Sequence, residues 1–488
     1  MLTVSVIPTS RRLAAVDLLN ASHNCDVIEL CLDHLIKEPN VGKLVHSVNK
    51  PMIISCRTPE EGGVFHGTAD ERVHLLRMAI VAEPAYVEID ASIASSIPRY
   101  GKTQRVVSVR GLRWSSDEWE SAYQAAANQD ADYVKLVTEA HTLEEAWPLL
   151  KLLTKKHTVP IIPVVEGEMS LMFSLLARKY GSPWIYAALE PGRESFPGQP
   201  SVWDLRDIYF IEDINHETHF VGMIGFELTR EQVAQTLNRA YQSRGHGQRC
   251  LPFVIGEDHS RLDSQLKALK ITSLIVGSGK ATAMFGFAQH LEEVAGLSKY
   301  CDLLVSTDDG WHGYNFIWRS ALRGLEDFLN QDQQDQRPLN RRTVLVVGAT
   351  GLAQAVAIGI QRRKGLLTLS SPDEKEGRSL AEMYDCRFVP FRAIYETLAD
   401  VVILADEEIS SGTGRNELSP SYFRPGMVVL DMTRLPWLSE LGEGALEHQS
   451  KVVQTREIFF DLIRAWFKAT TGDRLEQEDV RKLWDEAA

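Results

Sequence analysis

Six ionisable residues stand at or near the ends of short apolar runs in the first part of the sequence. Where such runs are parallel strands of a barrel, catalytic side chains lie at their carboxyl ends. Lys135 is the outstanding candidate, because the run YVKLVT surrounds it with apolar strand residues. For Glu166, a solvated charge on the barrel rim is an equally open alternative. The six residues are Glu29, Arg57, Asp90, Arg110, Lys135 and Glu166.

A glycine turn in the last part of the sequence is a second candidate site. The segment VLVVGATGLAQAVAIGI predicts a strand, a turn and a helix, with Gly348, Ala349, Thr350 and Gly351 in the turn. A turn of this kind lets a pyrophosphate approach the amides at a helix N-terminus. The full GxGxxG pattern is missing, so the strand-to-helix context carries the prediction. A Rossmann fold that binds no dinucleotide is the alternative.

The six ionisable residues lie in a part of the sequence that repeats one strand–helix pattern. Up to Tyr209, apolar β-rich runs alternate with helical patterns, which predicts parallel strands joined by crossover helices. Eight such units predict an α/β fold that begins with a (β/α)8 TIM barrel. The eight runs are TVSVIP, DVIELCLD, PMIISCR, YVEID, RVVSVRG, YVKLVT, VPIIPVVE and WIYAAL.

Two further α/β regions follow the predicted barrel. The first contains the runs HFVGMIG, LPFVIG, SLIVGSGK and DLLVSTDDG and the helical stretch GYNFIWRSALRGLEDFL. The polar stretch NQDQQDQRPLNRR then indicates a linker, after which the glycine-turn segment and the strands LLTLSS, VVILAD and MVVLDM form a Rossmann-type pattern. The predicted domains are a barrel at 1–213, a substrate-binding domain at 218–330 and a Rossmann-type domain with C-terminal helices at 341–488.

Composition limits the classes of partner. A formal net charge of −14 disfavours nucleic acid and membrane surfaces, which attract proteins with a concentrated basic face. The six cysteines are scattered without a CxxC pair, which indicates neither a zinc site nor a disulfide framework and fits a reducing cytoplasm. No segment has the length of an apolar membrane span. We therefore expect a cytoplasmic protein whose partners are small molecules.

Several motifs resemble two known enzyme families. The segments EGG (Glu61 to Gly63), YVEIDAS, ADYVKL and SFPGQPSVWDL resemble type I 3-dehydroquinate dehydratase across residues 1–213. Downstream, the motifs HFVGMIG, GSGK, GYN and GATGLAQA follow one another in this order and resemble shikimate dehydrogenase. The order of the two halves matches the bifunctional plant-type fusion, so the resemblance covers nearly the whole chain.

The resemblance assigns chemistry to the barrel. Lys135 matches the lysine that forms a Schiff base with the ketone of 3-dehydroquinate, and burial beside a cation such as Arg110 would favour its neutral form. The family has histidine at the position of Arg110, where it moves protons, and arginine cannot do so at neutral pH. The family arginine that grips the substrate carboxylate is replaced by Ser174.

Other substrate-binding positions of the barrel are kept or changed conservatively. An arginine two positions after Glu29 has become Cys31, and Asp90 stands where glutamate is usual. His66 and His141 are possible stand-ins for the missing histidine, although isolated histidines are usually structural. The resemblance thus implies substrate contacts from Glu29, Arg57, Asp90, Ser195 and Gln199.

The dehydrogenase half departs further from its family. Thr229 and Glu231 occupy positions of substrate-binding serines, and Glu231 is expected to oppose a carboxylate there. Lys280 matches the lysine that acts in proton transfer at the substrate hydroxyl, but Ile317 replaces the aspartate with which it would act.

The resemblance implies NAD or NADP as the cofactor, and no metal. The family arginine that reads the 2′-phosphate of NADP lies in Asn-Arg-Thr, which here is Ser371, Pro372 and Asp373. An acidic residue after the second strand more often accepts a ribose hydroxyl, so we expect NAD rather than NADP near Asp373.

Two functions follow from these observations. The first is a bifunctional enzyme that dehydrates 3-dehydroquinate to 3-dehydroshikimate and reduces the product to shikimate with NAD(P). The second is a pseudoenzyme of the same family that acts as a binding or regulatory scaffold. The substitutions at Arg110, Ser174 and Ile317 favour the second, and Lys135 favours the first.

Overall fold

The computed structural model describes residues 1–35, 40–331, 336–409 and 416–486. Contacts between residues divide the chain into two compact units. Unit 1 consists of Met1–Gly222 and Gly247–Lys270, and unit 2 consists of Met223–His246 and Ile271–Ala488. The predicted linker includes residues 332–335, which lie outside the described residues. The three predicted domain ranges stay a prediction.

Unit 1 begins with a nearly closed barrel of eight parallel strands, which confirms the predicted TIM barrel. The strands follow the order β7-β6-β5-β4-β3-β2-β1-β8, and each overlaps one of the eight predicted runs. Their bounds are β1 Leu2–Val6, β2 Val27–Cys31, β3 Met52–Ser55, β4 Tyr86–Asp90, β5 Gln104–Arg110, β6 Tyr133–Glu139, β7 Ile161–Glu166 and β8 Ile185–Ala188.

The helices of the barrel begin at strong sequence signals. Thr68 and Ser115 form capping boxes with Glu71 and Glu118, in which side chain and backbone satisfy each other's hydrogen bonds at the first turn. The helices are α1 Arg11–Asn24, α2 Val41–Val45, α3 Ala69–Val81, α4 Ser116–Ala127, α5 Leu143–Leu153 and α6 Ser170–Lys179. Unit 1 also contains β10 Gln248–Pro252 and α8 Leu262–Leu269, and β9 His219–Ile224 crosses the division between the units.

The lower part of the barrel interior is filled by an aromatic cluster. Tyr86, Tyr133 and Trp184 pack with ring centroids 4.9–5.9 Å apart. Since side chains alternate along a strand, the residues two positions after the tyrosines, Glu88 and Lys135, face the same interior one layer higher. The aromatic cluster therefore forms the floor of a polar chamber.

Unit 2 begins with a mixed sheet. β11 pairs antiparallel with β13, β13 pairs antiparallel with β14, and β12 pairs parallel with β14. These strands are β11 Ser273–Val276, β12 His290–Leu291, β13 Leu303–Thr307 and β14 Gly310–Tyr314. The helices are α7 Arg230–Ser243, α9 Ser278–Phe285, α10 Glu293–Ser298 and α11 Ile317–Asn330.

The rest of unit 2 is a Rossmann-type sheet of six parallel strands in the order β17-β16-β15-β18-β19-β20, as predicted. The strands are β15 Thr343–Val347, β16 Leu366–Ser370, β17 Arg387–Phe388, β18 Val401–Leu404, β19 Val428–Asp431 and β20 Lys451–Val452. The helices are α12 Gly351–Arg362, α13 Glu374–Met383, α14 Glu440–Glu447, α15 Thr455–Thr471 and α16 Gln477–Asp485. Among the described residues, no helix combines the length and apolarity that crossing a membrane requires.

Candidate active sites

Lys135 lies inside the barrel and is held by two carboxylates. Its Nζ lies 2.8 Å from Oε2 of Glu88 and 3.7 Å from Oε1 of Glu29. The amine also lies 4.5 Å above the ring centroid of Tyr186. The side chains of Lys135 and Glu88 are 3% and 4% exposed. The barrel therefore presents one amine at the bottom of a chamber, with a proton acceptor in contact.

Arg57 shares the same two carboxylates. Its Nη2 donates to Oε1 of Glu29, and its Nε lies 3.6 Å from Oε1 of Glu88. Burial opposes ionisation of Glu29, but the charges of Arg57 and Lys135 more than offset burial and lower the pKa of Glu29 to about 2. The two cations and two carboxylates form a compact ionic cluster that balances its own charge.

Glu88 was missed as a site residue in the sequence. Asp90, two positions later on β4, was predicted instead, but its Oδ1 accepts a hydrogen bond from the backbone N–H of Ser92 at 2.8 Å. Asp90 thus shapes the turn after the strand, while Glu88 contacts Lys135. The signal that identifies Glu88 is its alternation with Tyr86, which places both side chains inside.

A chain of hydrogen bonds joins the ionic cluster to the loop at 195–199. Ser5 Oγ donates to Oε2 of Glu29 at 2.7 Å, and Gln199 Nε2 donates to Ser5 Oγ at 3.2 Å. Gln199 Oε1 in turn accepts from the backbone N–H of Ser195 at 2.7 Å. The predicted substrate-binding residues Glu29, Ser195 and Gln199 are therefore brought together through Ser5.

Arg110 is paired with Glu166 rather than with the groups around Lys135. Nη1 and Nη2 donate to the two carboxylate oxygens of Glu166 at 2.6 Å each, and this hydrogen bonding raises the pKa of Arg110. Gly62 covers the pair, since a Cβ there would lie 2.7 Å from Nη1 of Arg110. The sequence predicted Arg110 as the cation beside Lys135. The cation that shares the carboxylates of Glu29 and Glu88 with Lys135 is instead Arg57.

The other positions considered in the barrel lie in ordinary surroundings. Ser174 Oγ donates to the carbonyl of Ser170 within α6. His66 is exposed. His141 is also exposed and contacts Glu168, whose hydrogen bond raises the pKa of the imidazole.

A second candidate site is a cleft of about 170 Å3 in unit 2. Asp302 is its buried acid: Oδ2 accepts from the backbone N–H groups of Phe316 and Ile317, both at 2.7 Å, and Oδ1 accepts from Trp466 Nε1 at 3.2 Å. Burial raises the pKa of Asp302 to about 7 despite these three donors. The sequence analysis did not identify Asp302. Its carboxylate nevertheless accepts a hydrogen bond from the backbone of Ile317, the residue that occupies the position of the family aspartate. Residues around the cleft include Thr229, Ser278, Asp302, Ile317, Arg434 and Trp466.

Two predictions for this cleft are modified by the structure. Glu231 was expected to oppose a substrate carboxylate, but it is exposed and pairs with Arg230 at 2.9 Å, and it is not among the residues that line the cleft. Lys280, in α9, packs against Gly225, where a Cβ would lie 2.8 Å from the Cβ of Lys280. Gly225 lines the cleft, whereas Lys280 is not among the lining residues.

The glycine turn of the Rossmann-type sheet fits a diphosphate. Gly348 has a φ of +130°, and a Cβ there would lie 2.8 Å from the Cβ of Asp406, so the position requires glycine. Thr350 Oγ1 accepts from the backbone N–H of Ala353 and caps α12, which begins at Gly351. The turn therefore leads directly from a strand to a capped helix N-terminus.

Asp373 follows the next strand and begins α13. Its Oδ1 accepts a hydrogen bond from the backbone N–H of Glu376 at 3.0 Å, as an N-cap does. The carboxylate of Asp373 thus has a structural task in addition to any contact with a ribose.

Comparison with known proteins places these features in a family. The model of type I 3-dehydroquinase matches residues 2–216. The chain is 31% identical over 184 residues to the 3-dehydroquinate dehydratase of Methanothermobacter thermautotrophicus, which covers 36% of this chain and 80% of the relative.

Two other proteins resemble almost the whole chain. The bifunctional 3-dehydroquinate dehydratase/shikimate dehydrogenase, chloroplastic, of Arabidopsis thaliana is 25% identical over 473 residues, which covers 92% of this chain and 78% of the relative. The solved structure of the dehydroquinate dehydratase and shikimate dehydrogenase from S. pombe AroM covers 99% of this chain and 98% of its own, with 18% identity and a TM-score of 0.43.

Proposed function

The chain belongs to the type I 3-dehydroquinase family, and we propose that its barrel dehydrates 3-dehydroquinate while unit 2 reduces 3-dehydroshikimate to shikimate. The observation that carries the proposal is the buried amine of Lys135, 2.8 Å from the carboxylate of Glu88. The similarity of nearly the whole chain to a bifunctional relative supports the pairing of the two activities.

In the barrel, Lys135 acts as the nucleophile. Glu88 accepts a proton from the ammonium, and the neutral amine adds to the substrate ketone, which loses water to form an imine. The imine acidifies the neighbouring C–H bond, so that loss of this proton and of the β-hydroxyl, as a second water, forms the enone. Hydrolysis then frees the product and restores the lysine.

Proton transfer at the substrate carbon needs a group other than Arg110, since guanidinium stays protonated. Glu166, which Arg110 holds by two hydrogen bonds, is a carboxylate at the end of β7, the strand that pairs with the β6 strand of Lys135. We assign Glu166 the role of proton acceptor, acting directly or through water. Without the family histidine, turnover should be slower by about 10²–10⁴-fold, the usual contribution of one acid–base group.

In unit 2, we infer that the glycine turn and Asp373 hold a dinucleotide. Amides at Gly348 to Gly351 would face the diphosphate, and Asp373 would accept a ribose hydroxyl, which favours NAD over NADP. A bound nicotinamide supplies hydride to the substrate ketone. Asp302 lines the cleft with a carboxyl pKa of about 7, so it can give a proton to the resulting alkoxide in place of the aspartate that Ile317 replaces.

Two further properties belong to this proposal. The substrates are small polar acids, which the acidic chain binds locally through buried cations such as Arg57. We also place the protein in the cytoplasm, since its six cysteines are free thiols.

The experiment is reduction with borohydride in the presence of 3-dehydroquinate. The full-length protein should gain a mass adduct on Lys135, and enone absorbance should appear without borohydride. Lys135→Met should abolish both, whereas Lys151→Met, on the exposed face of α5, should retain both. NAD-dependent oxidation of shikimate should be much weaker than the dehydration, because no covalent intermediate assists it.

A scaffold without catalysis is the alternative that the same experiment tests. Absence of the adduct, of the enone and of shikimate oxidation in a folded protein would select it over the enzyme. Robust shikimate oxidation without an adduct would instead reverse the expected order of the two activities.

A further inference from the structure

Three metal-ligating side chains of unit 2 converge at a place that is not part of the lining of the cleft. His290 and His312 are register partners on the parallel strands β12 and β14, and Asp309 lies in the turn that precedes β14. Register partners on neighbouring strands place their side chains next to each other on one face. The two imidazole rings are accordingly stacked, with centroids 4.6 Å apart and planes inclined by 27°.

The distances between the ligand atoms match those around a small metal ion. Nε2 of His312 lies 3.0 Å from Oδ1 of Asp309, and Nε2 of His290 lies 3.5 Å from Oδ2. One ligand atom from each of the three residues lies within 4.8 Å of the others. Bonds of about 2.0–2.1 Å in a tetrahedral site separate neighbouring ligand atoms by about 3.3 Å. Small rotations of the side chains therefore suffice to enclose an ion.

The carboxylate of this cluster is oriented by a hydrogen bond. Thr307 Oγ1 donates to Oδ1 of Asp309 and also lies 3.1 Å from the carbonyl oxygen of Gly310. Groups that hydrogen-bond to a ligating side chain and orient it in this way are typical of metal sites.

We propose that His290, Asp309 and His312 bind one divalent transition-metal ion, with Zn²⁺ as the best match to two imidazole nitrogens and one carboxylate oxygen. The exposed position leaves at least one coordination place open to water or an anion. The site lies outside the catalytic groups assigned above and does not depend on the proposed function.

Isothermal titration of the full-length protein with ZnCl2 tests the site directly. The protein should carry no polyhistidine tag, should be freed of metal with a chelator and then dialysed, and should be titrated at pH 7.5. We expect one ion per chain with a dissociation constant in the micromolar range, on the order of 1–10 µM for three exposed ligands. His290→Gln, His312→Gln and Asp309→Asn should each weaken binding by about tenfold or more, because each removes one ligand.

A matched control and a second probe make the result decisive. His216→Gln removes an exposed histidine that lies beside Glu217 in a comparable surface pair, and it should leave the affinity unchanged. Co²⁺ should give visible absorption bands that the three cluster variants lose.

Loss of a metal ligand is distinguished from loss of folding if the metal-free variants melt at the same temperature as the metal-free wild type. Binding that is equally strong in all three cluster variants, or the absence of saturable binding below about 100 µM, overturns the assignment. A variant with a lower melting temperature is replaced by His290→Asn or His312→Asn, which remove the same ligand with a smaller side chain.

Discussion

The amine of Lys135 and the carboxylate of Glu88 are in direct contact, 2.8 Å apart, although β4 and β6 are not neighbours in the barrel. The strand between them, β5, presents Ser108 next to Lys135 in the register, and its small side chain allows the contact across it. Buried opposite charges stabilise each other only while both are present. Removal of either side chain should therefore destabilise the barrel.

Glu88→Gln should slow imine formation. The change removes the carboxylate that accepts the proton of the ammonium and leaves the amine of Lys135 with Glu29 alone, at 3.7 Å. Trapping by borohydride should consequently be slower, and the free energy of unfolding should fall by about 3–5 kcal/mol because a buried pair is broken. Rates of adduct formation by mass spectrometry and urea unfolding measure the two effects. Asp90→Asn, on the same strand, should leave the trapping rate unchanged, and an unchanged rate in Glu88→Gln would contradict the assignment.

The barrel was predictable because its strands repeat one local pattern, whereas partners across the barrel depend on how all eight strands close. Lys135 was identifiable as a charge among apolar residues. Glu88 escaped notice because the prediction selected Asp90, at the end of the same strand. Arg110 was paired with the wrong partner because Glu166 is 56 residues away in the chain.

In unit 2, too, contacts between residues distant in the sequence could not be predicted. The glycine turn of the Rossmann-type sheet is encoded in consecutive residues and was recognised. Burial in the folded chain raises the pKa of Asp302, and one of its three hydrogen-bond donors, Trp466, is 164 residues away. No local sequence pattern contains that information.

Gly198→Ala should disrupt the loop that carries Gln199. Gly198 has a φ of +75°, and a Cβ there would lie 2.1 Å from the carbonyl oxygen of Gly167. Gly192→Ala is the matched control, since its φ is +85° but nothing lies within 4 Å of the added Cβ. The control should lose about 1–2 kcal/mol from the backbone conformation alone. Gly198→Ala should lose more and should become sensitive to limited proteolysis near residue 198, so equal effects in both variants would refute the clash.

Arg110→His should increase dehydration of 3-dehydroquinate. Imidazole can exchange protons near neutral pH, and Glu166 can orient it as it now orients the guanidinium. We expect a rise in kcat of about 10²-fold or more, the lower end of the contribution of an acid–base group. Arg110→Gln breaks the same ion pair without adding a proton carrier and should show no rise. Equal rates for the two variants would mean that another group transfers the proton.

Asp302 should make unit 2 less stable as pH rises. Its folded pKa of about 7 lies above the ordinary value of 3.8, so its contribution is fully present below pH 3.8 and is lost as pH rises toward 7. Between pH 5 and 7 the loss is on the order of 3 kcal/mol, at about 1.4 kcal/mol per pH unit. Asp302→Asn removes the titration, so its urea-unfolding midpoint should rise relative to wild type from pH 5 to pH 8. A constant difference between the two proteins across this range would refute the buried-acid assignment.

Asp373 should make the chain prefer NAD to NADP, and two substitutions separate the possible reasons. The carboxylate repels a 2′-phosphate and caps α13 through the N–H of Glu376, so Asp373→Arg changes both the charge and the cap. Asp373→Asn keeps a capping oxygen and removes only the charge. Calorimetric titration should show tighter binding of NAD than NADP in the wild type, a smaller difference in Asp373→Asn and a reversal in Asp373→Arg, with about 1 kcal/mol of stability lost only in the arginine variant. Tighter binding of NADP by the wild type, or identical preferences in all three proteins, would show that another residue reads the ribose.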